Sequence, residues 1–131
     1  MKTNRKIGQT FLFIFALIGE TIADEQLQSF KREPANKGKT CDTGLWYYSR
    51  HPNYFFEWLV WVGLFIYALG SPNGWIAFVS PLLMFYLMMY VSGVPLAEEQ
   101  ALLSRGQAYK DYQQTTSVFF PLPKRKGQVT A

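Results

Sequence analysis

Two windows nearly empty of charge, Tyr54 to Gly70 and Trp75 to Gly93, constrain this chain more than any other feature. The first holds one acid, Glu57, and the second holds no Asp, Glu, Lys or Arg. Each is close to the length needed to cross ~30 Å of hydrocarbon at ~1.5 Å per helical residue. Between them stands 71-SPN-73, flanked by Gly70 and Gly74, a turn cluster too short to cross anything. The pair therefore predicts a helical hairpin in a membrane. Two core helices of a soluble domain are the competing account, but a 131-residue soluble chain needs polar surface on every element. Here aromatics make up 18% of the residues against 17% charged, and the charges are segregated rather than dispersed. Pro81 inside the second window is tolerable in a membrane bundle, where neighbouring groups satisfy the freed carbonyl.

A third apolar segment is 7-IGQTFLFIFALIGETIA-23, with Lys2, Arg5 and Lys6 before it and the small-residue end 21-TIA-23 that also marks a secretory signal peptide. A membrane helix is the preferred account, because removal would leave Asp24 at a new amino terminus with no role. The expectation is an all-α integral membrane bundle, a single domain over residues 1–131. Three membrane helices fall near 7–23, 54–70 and 75–92, followed by an amphipathic helix within 98–121 that offers Leu102, Leu103, Tyr109 and Tyr112 to a membrane or bundle surface. Its aromatics are expected as interface anchors. The segment between the first two helices carries Lys31, Arg32, Lys37, Lys39 and Arg50, the tail carries Arg105, Lys110, Lys124, Arg125 and Lys126, and the 71–73 turn carries no cation. By the positive-inside rule the 24–53 loop and the tail face the cytoplasm. Lys2, Arg5 and Lys6 then fall on the opposite side, a conflict that an upstream segment would remove. The net charge of +4 and 124-KRK-126 fit anionic lipid better than nucleic acid.

One cysteine, Cys41, and one histidine, His51, exclude an internal disulfide and argue against a zinc site built from protein ligands. No phosphate-binding loop, Rossmann glycine pattern or serine elbow is present. Chemistry must come from polar residues at the membrane edge, concentrated in 46-WYYSRHPNYFFEWLVW-61. Pro52 suits a first helical turn, which places Asn53, Glu57 and Trp61 in one stripe at i, i+4 and i+8. Glu57 would cost on the order of a few kcal/mol at that depth without a partner, so it is either functional or paired with a cation of the loop. Arg50, just before the helix start, makes a candidate phosphate site. His51 fits a hydrogen bonder at the helix start as well as a proton carrier. Glu20, Asp24, Gln28 and Lys31 form a polar stripe on the first helix, for which spacing alone favours a solvated face.

The pieces 19-GETIADEQLQSFKR-32, 43-TGLWYYSRHPNYFFEW-58, 92-SGVP-95 and 109-YKDYQQTTSVFFP-121, in that order, cover nearly all of the chain. Together they resemble the carboxy-terminal half of the steroid 5-alpha-reductase family, closest to its bacterial branch. The resemblance implies a multi-helix fold in a bacterial inner membrane, with NADPH bound at the cytoplasmic helix ends. It further implies hydride delivery to a conjugated double bond of a hydrophobic, lipid or steroid-like substrate. By resemblance Asp24 stands at the family's acid before the loop, and Lys31 at a basic position. Asn53, Tyr54 and Glu57 match its Asn-Tyr and following acid, and Trp61 an aromatic beside the cofactor.

Phe56 departs from the glycine that the family has there, which alters how closely backbone approaches a ligand. Family members also carry their substrate pocket on amino-terminal helices without counterpart here. The expectation is a truncated product, a misplaced start, or a cofactor-binding half that needs a partner subunit; no catalytic acid is identifiable. The competing account is a methyltransferase resembling the isoprenylcysteine carboxyl methyltransferases, which use S-adenosylmethionine. Their Arg-His-Pro-x-Tyr unit is matched by 50-RHPNY-54 and their Glu-Glu by Glu98 and Glu99. Asn53, Glu57 and Asp24 favour the reductase. A non-catalytic membrane subunit or remnant is the third account.

Overall fold

The computed structural model describes residues 2–125. Its longest element, α1, spans Lys2–Arg32, and two short 3-10 turns, Pro34–Asn36 and Gly44–Tyr47, shape the loop that follows. Helix α2 covers Pro52–Ala68 and begins at the proline that sequence placed in its first turn. After the hairpin come a 3-10 turn at Gly74–Phe78, α3 at Val79–Tyr86, a π turn at Leu87–Val91 and α4 at Gly93–Arg105. Helix α5, Gln107–Thr115, closes the described fold. Among the described residues there is no strand, only an isolated bridge between Ser49 and Ser117.

Two continuous helical runs, Lys6–Arg32 and Gly74–Arg105, are long and apolar enough to cross a membrane. Only 22% and 11% of their most apolar windows are buried inside the protein. Phe11, Phe15, Leu82 and Leu83 accordingly point outward, each at least half exposed. An apolar exterior of this extent suits lipid rather than water. The 17-residue α2 lies between these runs, reaching about 25 Å at the usual rise.

Small residues bring α1 onto α2. Ala16 is fully buried, and Gly19 one turn further on faces the Phe56 ring of α2 so closely that a side chain there would overlap it. Without a hydrophobic driving force between helices in lipid, such close backbone approach is what packing relies on. Phe55, Trp58, Phe85, Phe119 and Phe120 form an aromatic cluster that ties the segment after α5 to α2 and α3. Trp58 completes it by donating its indole N–H to the Pro81 carbonyl at 2.9 Å.

The hairpin turn lies where the Gly and Pro residues predict it. Asn73 adopts a left-handed conformation (φ 63°), and a Cβ on Gly74 would collide with the Ala68 carbonyl, so the turn requires glycine. Two boundaries differ from expectation. The last membrane run does not stop near residue 92: a π turn, with Ser92 N–H bonded to the Leu87 carbonyl at 2.9 Å, carries it into α4 as far as Arg105. The amphipathic helix expected within 98–121 is not one helix but two, broken at Gly106 (φ 54°). That break turns Tyr109 and Tyr112 inward to 3% and 5% exposure, so they are core residues and not interface anchors. Lys124 likewise folds back over the Tyr47 and Tyr112 rings, at 4.6 and 5.3 Å, and donates to Thr116 at 2.8 Å. Lys126, the last residue of the basic triplet expected against lipid, lies outside the described residues.

Candidate functional site

The loop after α1 is pinned rather than free. Trp46 is 7% exposed and donates its indole N–H to the Ala23 carbonyl at 2.9 Å, while the Gln26 side chain accepts the Leu45 amide at 2.9 Å. Cys41 packs against Ala23 and Trp46, and burial pushes its thiol above the ordinary value, which keeps it protonated and unreactive. Folded this way, the loop leaves a cleft of about 840 Å³ between itself, the end of α1, the start of α2 and the inner face of α4.

The cleft is cationic. Lys31, Arg32, Lys37, Lys39, Arg50 and Arg105 line it, with Glu33 as the one acid among the lining residues. Arg32 is partnered by Glu25 at 3.2 Å and Arg50 by Glu98, whereas Lys31, Lys37, Lys39 and Arg105 have no salt-bridge partner among the described residues. Arg105 also lies over the Tyr109 ring at 4.9 Å. Leu27, Phe30, Trp46 and Ala101 supply apolar wall between these cations.

Of the residues singled out by sequence, Lys31, Arg50, Asn53 and Tyr54 line the cleft. Asn53 Oδ1 is buried without a hydrogen-bond partner, an acceptor waiting for a donor. Asp24 is exposed on α1, and neither it nor Glu57 nor Trp61 lines the cleft. Glu57 and Trp61 sit one and two turns further along α2, roughly 6 and 12 Å from Asn53 along the axis. Glu57 has no salt-bridge partner among the described residues, and another acid, Glu20 of α1, lies close enough to repel it. Arg50 is committed: its Nε donates to the Thr116 carbonyl at 3.1 Å, its guanidinium pairs with Glu98, and its backbone N–H donates to Ser117 at 2.8 Å.

Glu98 is the residue that sequence weighed least and structure uses most. Its carboxylate accepts from Arg50 and from the Tyr109 hydroxyl, takes a longer contact of 3.4 Å from Gln113, and lies 3.3 Å from His51 Nε2. Arg50 and Glu98 side chains are 11% and 13% exposed, so this is a buried node joining the start of α2 to α4 and α5. Burial, together with the Glu98 carboxylate, pushes the Tyr109 phenol well above its ordinary range. Burial does the same to Tyr112, whose hydroxyl donates to the carbonyls of Trp46 and Ser49. The signal for Glu98 was present only as half of the methyltransferase-like pattern, separated by 48 residues from the Arg50 it meets.

A family model described as "Protein of unknown function (DUF1295)" matches residues 2–116. The chain belongs to the DUF1295 family. That match takes in every element from α1 through α5, and with it all of the cleft-lining residues. No curated protein and no solved structure matches the chain.

Proposed function

We propose that this DUF1295 protein is a membrane-embedded reductase of the steroid 5-alpha-reductase type. It would bind NADPH in the cationic cleft and act on a conjugated double bond of a lipid or steroid-like substrate. The observation that carries this reading is the charge of the cleft, Lys31, Lys37, Lys39 and Arg105 unpaired against Glu33, at a volume of about 840 Å³. Phosphates answer that charge with charge-assisted hydrogen bonds, and Asn53 Oδ1 offers an acceptor to an amide or ribose donor. The residues present therefore fit a dinucleotide. Lys31, Lys39 and Arg105 would hold its phosphates, and Tyr54 and Asn53 would flank its body where α2 enters the membrane. When bound, the nicotinamide supplies hydride. The reading places the 24–53 loop and the tail on the cytoplasmic face of a bacterial inner membrane, with a partner subunit or amino-terminal half contributing the substrate pocket.

A methyltransferase using S-adenosylmethionine is the second reading. What favours it is that 50-RHPNY-54 and Glu98, distant in sequence, meet through Arg50 and His51. The methyl donor carries a sulfonium and no phosphate, so an excess of cations suits it poorly. Calorimetry of the purified chain in detergent separates the readings. NADPH should bind more tightly than S-adenosylmethionine, and its affinity should fall with added salt. Lys31→Ala and Arg105→Ala should each weaken it by about 1.5 to 3 kcal/mol. Binding of the methyl donor alone would reverse the order, and binding of neither would favour a non-catalytic subunit.

A further inference from the structure

His51 is the only histidine of the chain. At 4% exposure, its two ring nitrogens meet different surroundings. Nε2 is sealed from solvent, makes no well-directed hydrogen bond among the described residues, and lies 3.3 Å from Glu98 Oε2. A carboxylate only accepts, so that approach is a hydrogen bond only when Nε2 carries the proton. A neutral ring protonated on Nδ1 would press two acceptors together at that distance. Among the described residues Nδ1 makes no hydrogen bond; it is not among the sealed unpartnered atoms, and it belongs to a ring that lines the cleft. The ring is also held in place. It stacks on Tyr54 with centroids 5.4 Å apart and planes 22° from parallel, and the His51 backbone N–H donates to Ser49 Oγ at 3.1 Å.

We propose that Glu98 and His51 form an acid–base pair in the wall of the cleft, with Glu98 fixing a proton on Nε2 and Nδ1 exchanging a proton with the bound ligand. The charged and titratable groups around it come from every neighbouring element. Arg50 precedes it on the loop, Tyr54 stacks from α2, Glu98 reaches in from α4, and Tyr109 from α5 shares the same carboxylate. Lys31 and Arg105 line the same cleft. Arg50 and Glu98 cancel, so a positive charge on His51 is an additional cation in an already cationic cleft. An anionic ligand relieves that repulsion, which links ligand binding to proton uptake at His51.

The pair itself rests on geometry, and its use in reduction rests on the reductase reading. In that reaction, hydride addition to one carbon of the conjugated double bond leaves an electron pair on the carbonyl-conjugated carbon. That pair takes the proton from His51 Nδ1, the neutral ring keeps its proton on Nε2 against Glu98, and water returns a proton to Nδ1. One hydride, which a bound nicotinamide would supply, and one proton would be consumed per saturated bond.

A single histidine makes the test direct. Nitrogen NMR of the full chain, labelled with ¹⁵N-histidine in detergent micelles, reads the tautomer and titration of His51 without any turnover. The neutral ring should be the Nε2–H tautomer, and NADPH should shift the Nδ1 resonance. Glu98→Gln should weaken the preference for the Nε2–H tautomer; should that variant not fold, the wild-type tautomer still decides. An Nδ1–H tautomer overturns the pair. An Nδ1 resonance that ignores NADPH while calorimetry detects binding places the imidazole away from the ligand and overturns it as well. Failure of NADPH to bind at all removes the reductase reading, and inorganic pyrophosphate then serves as the anionic probe, with the same Nδ1 response required.

Discussion

Gly19→Ala tests the packing that sets the frame of the cleft. An added Cβ would overlap the Phe56 ring, at its Cδ1, Cε1 and Cζ atoms. Phe56 is 5% exposed and is itself held edge-on by Phe15 and Phe55, at centroid distances of 5.7 and 5.3 Å, so it has no open side to which it can turn. One methyl forced into such a contact costs about 1 to 3 kcal/mol. Phe56→Ala removes the obstacle but leaves a hole, for about 3 to 5 kcal/mol. In the double variant the new methyl lies in space that the ring vacated, so Gly19→Ala should cost nothing further and the two effects should fall short of additivity by about 1 to 3 kcal/mol. Denaturant unfolding in mixed micelles, followed by tryptophan fluorescence, measures all three variants. Strict additivity, or a Gly19→Ala protein as stable as the parent, would mean that the helices do not approach as described.

Tyr112→Phe should destabilise by about 1 to 3 kcal/mol in the same assay, because the Trp46 and Ser49 carbonyls lose their shared donor. Both Tyr109 and Tyr112 have folded values raised above the ordinary phenol, so their contribution is fully present below about pH 10 and is lost as pH rises further. Absorbance at the phenolate band should show these two of the chain's eight tyrosines ionising only together with unfolding. Two additional reversible phenols before any loss of helicity would contradict the burial. Glu57→Gln should raise stability by on the order of 1 kcal/mol, since the acid faces Glu20 and has no cationic partner among the described residues. A destabilised variant would reveal a cation paired with it.

The membrane helices and the hairpin were legible because apolar runs and turn residues are local signals. Pro52 marks the start of α2 and Gly74 the turn by constraints on one residue's backbone. The tail was misjudged because periodicity runs on through Gly106, and nothing in 98–121 taken alone says that φ changes sign there. That one reversal decides whether Tyr109 and Tyr112 meet lipid or core. Lys31, Arg50, Asn53 and Tyr54 line one cleft, but spacing alone put Lys31 on a solvated face of α1, and only the resemblance joined it and Tyr54 to the others. Helical spacing also tied Glu57 and Trp61 to Asn53, but a helix that descends into a membrane carries its stripe away from a cleft at its mouth. Glu98 could not be weighed from sequence, because its value comes from meeting Arg50, His51 and Tyr109, which only the folded chain brings together.

The run from Gly74 to Arg105 is 32 residues long, on the order of 45 to 50 Å, while hydrocarbon occupies only ~30 Å of that length. Its far end therefore stands clear of the bilayer like a mast stepped in a hull, carrying Glu98 and Arg105 with it. A long helix meets a thinner bilayer by leaning, and a lean at the foot becomes a displacement at the top. In this protein the top is one wall of the cleft. Lipid chain length is thus expected to bear on the distance between Arg105 and the loop cations opposite, which crosslinking in bilayers of different thickness would measure.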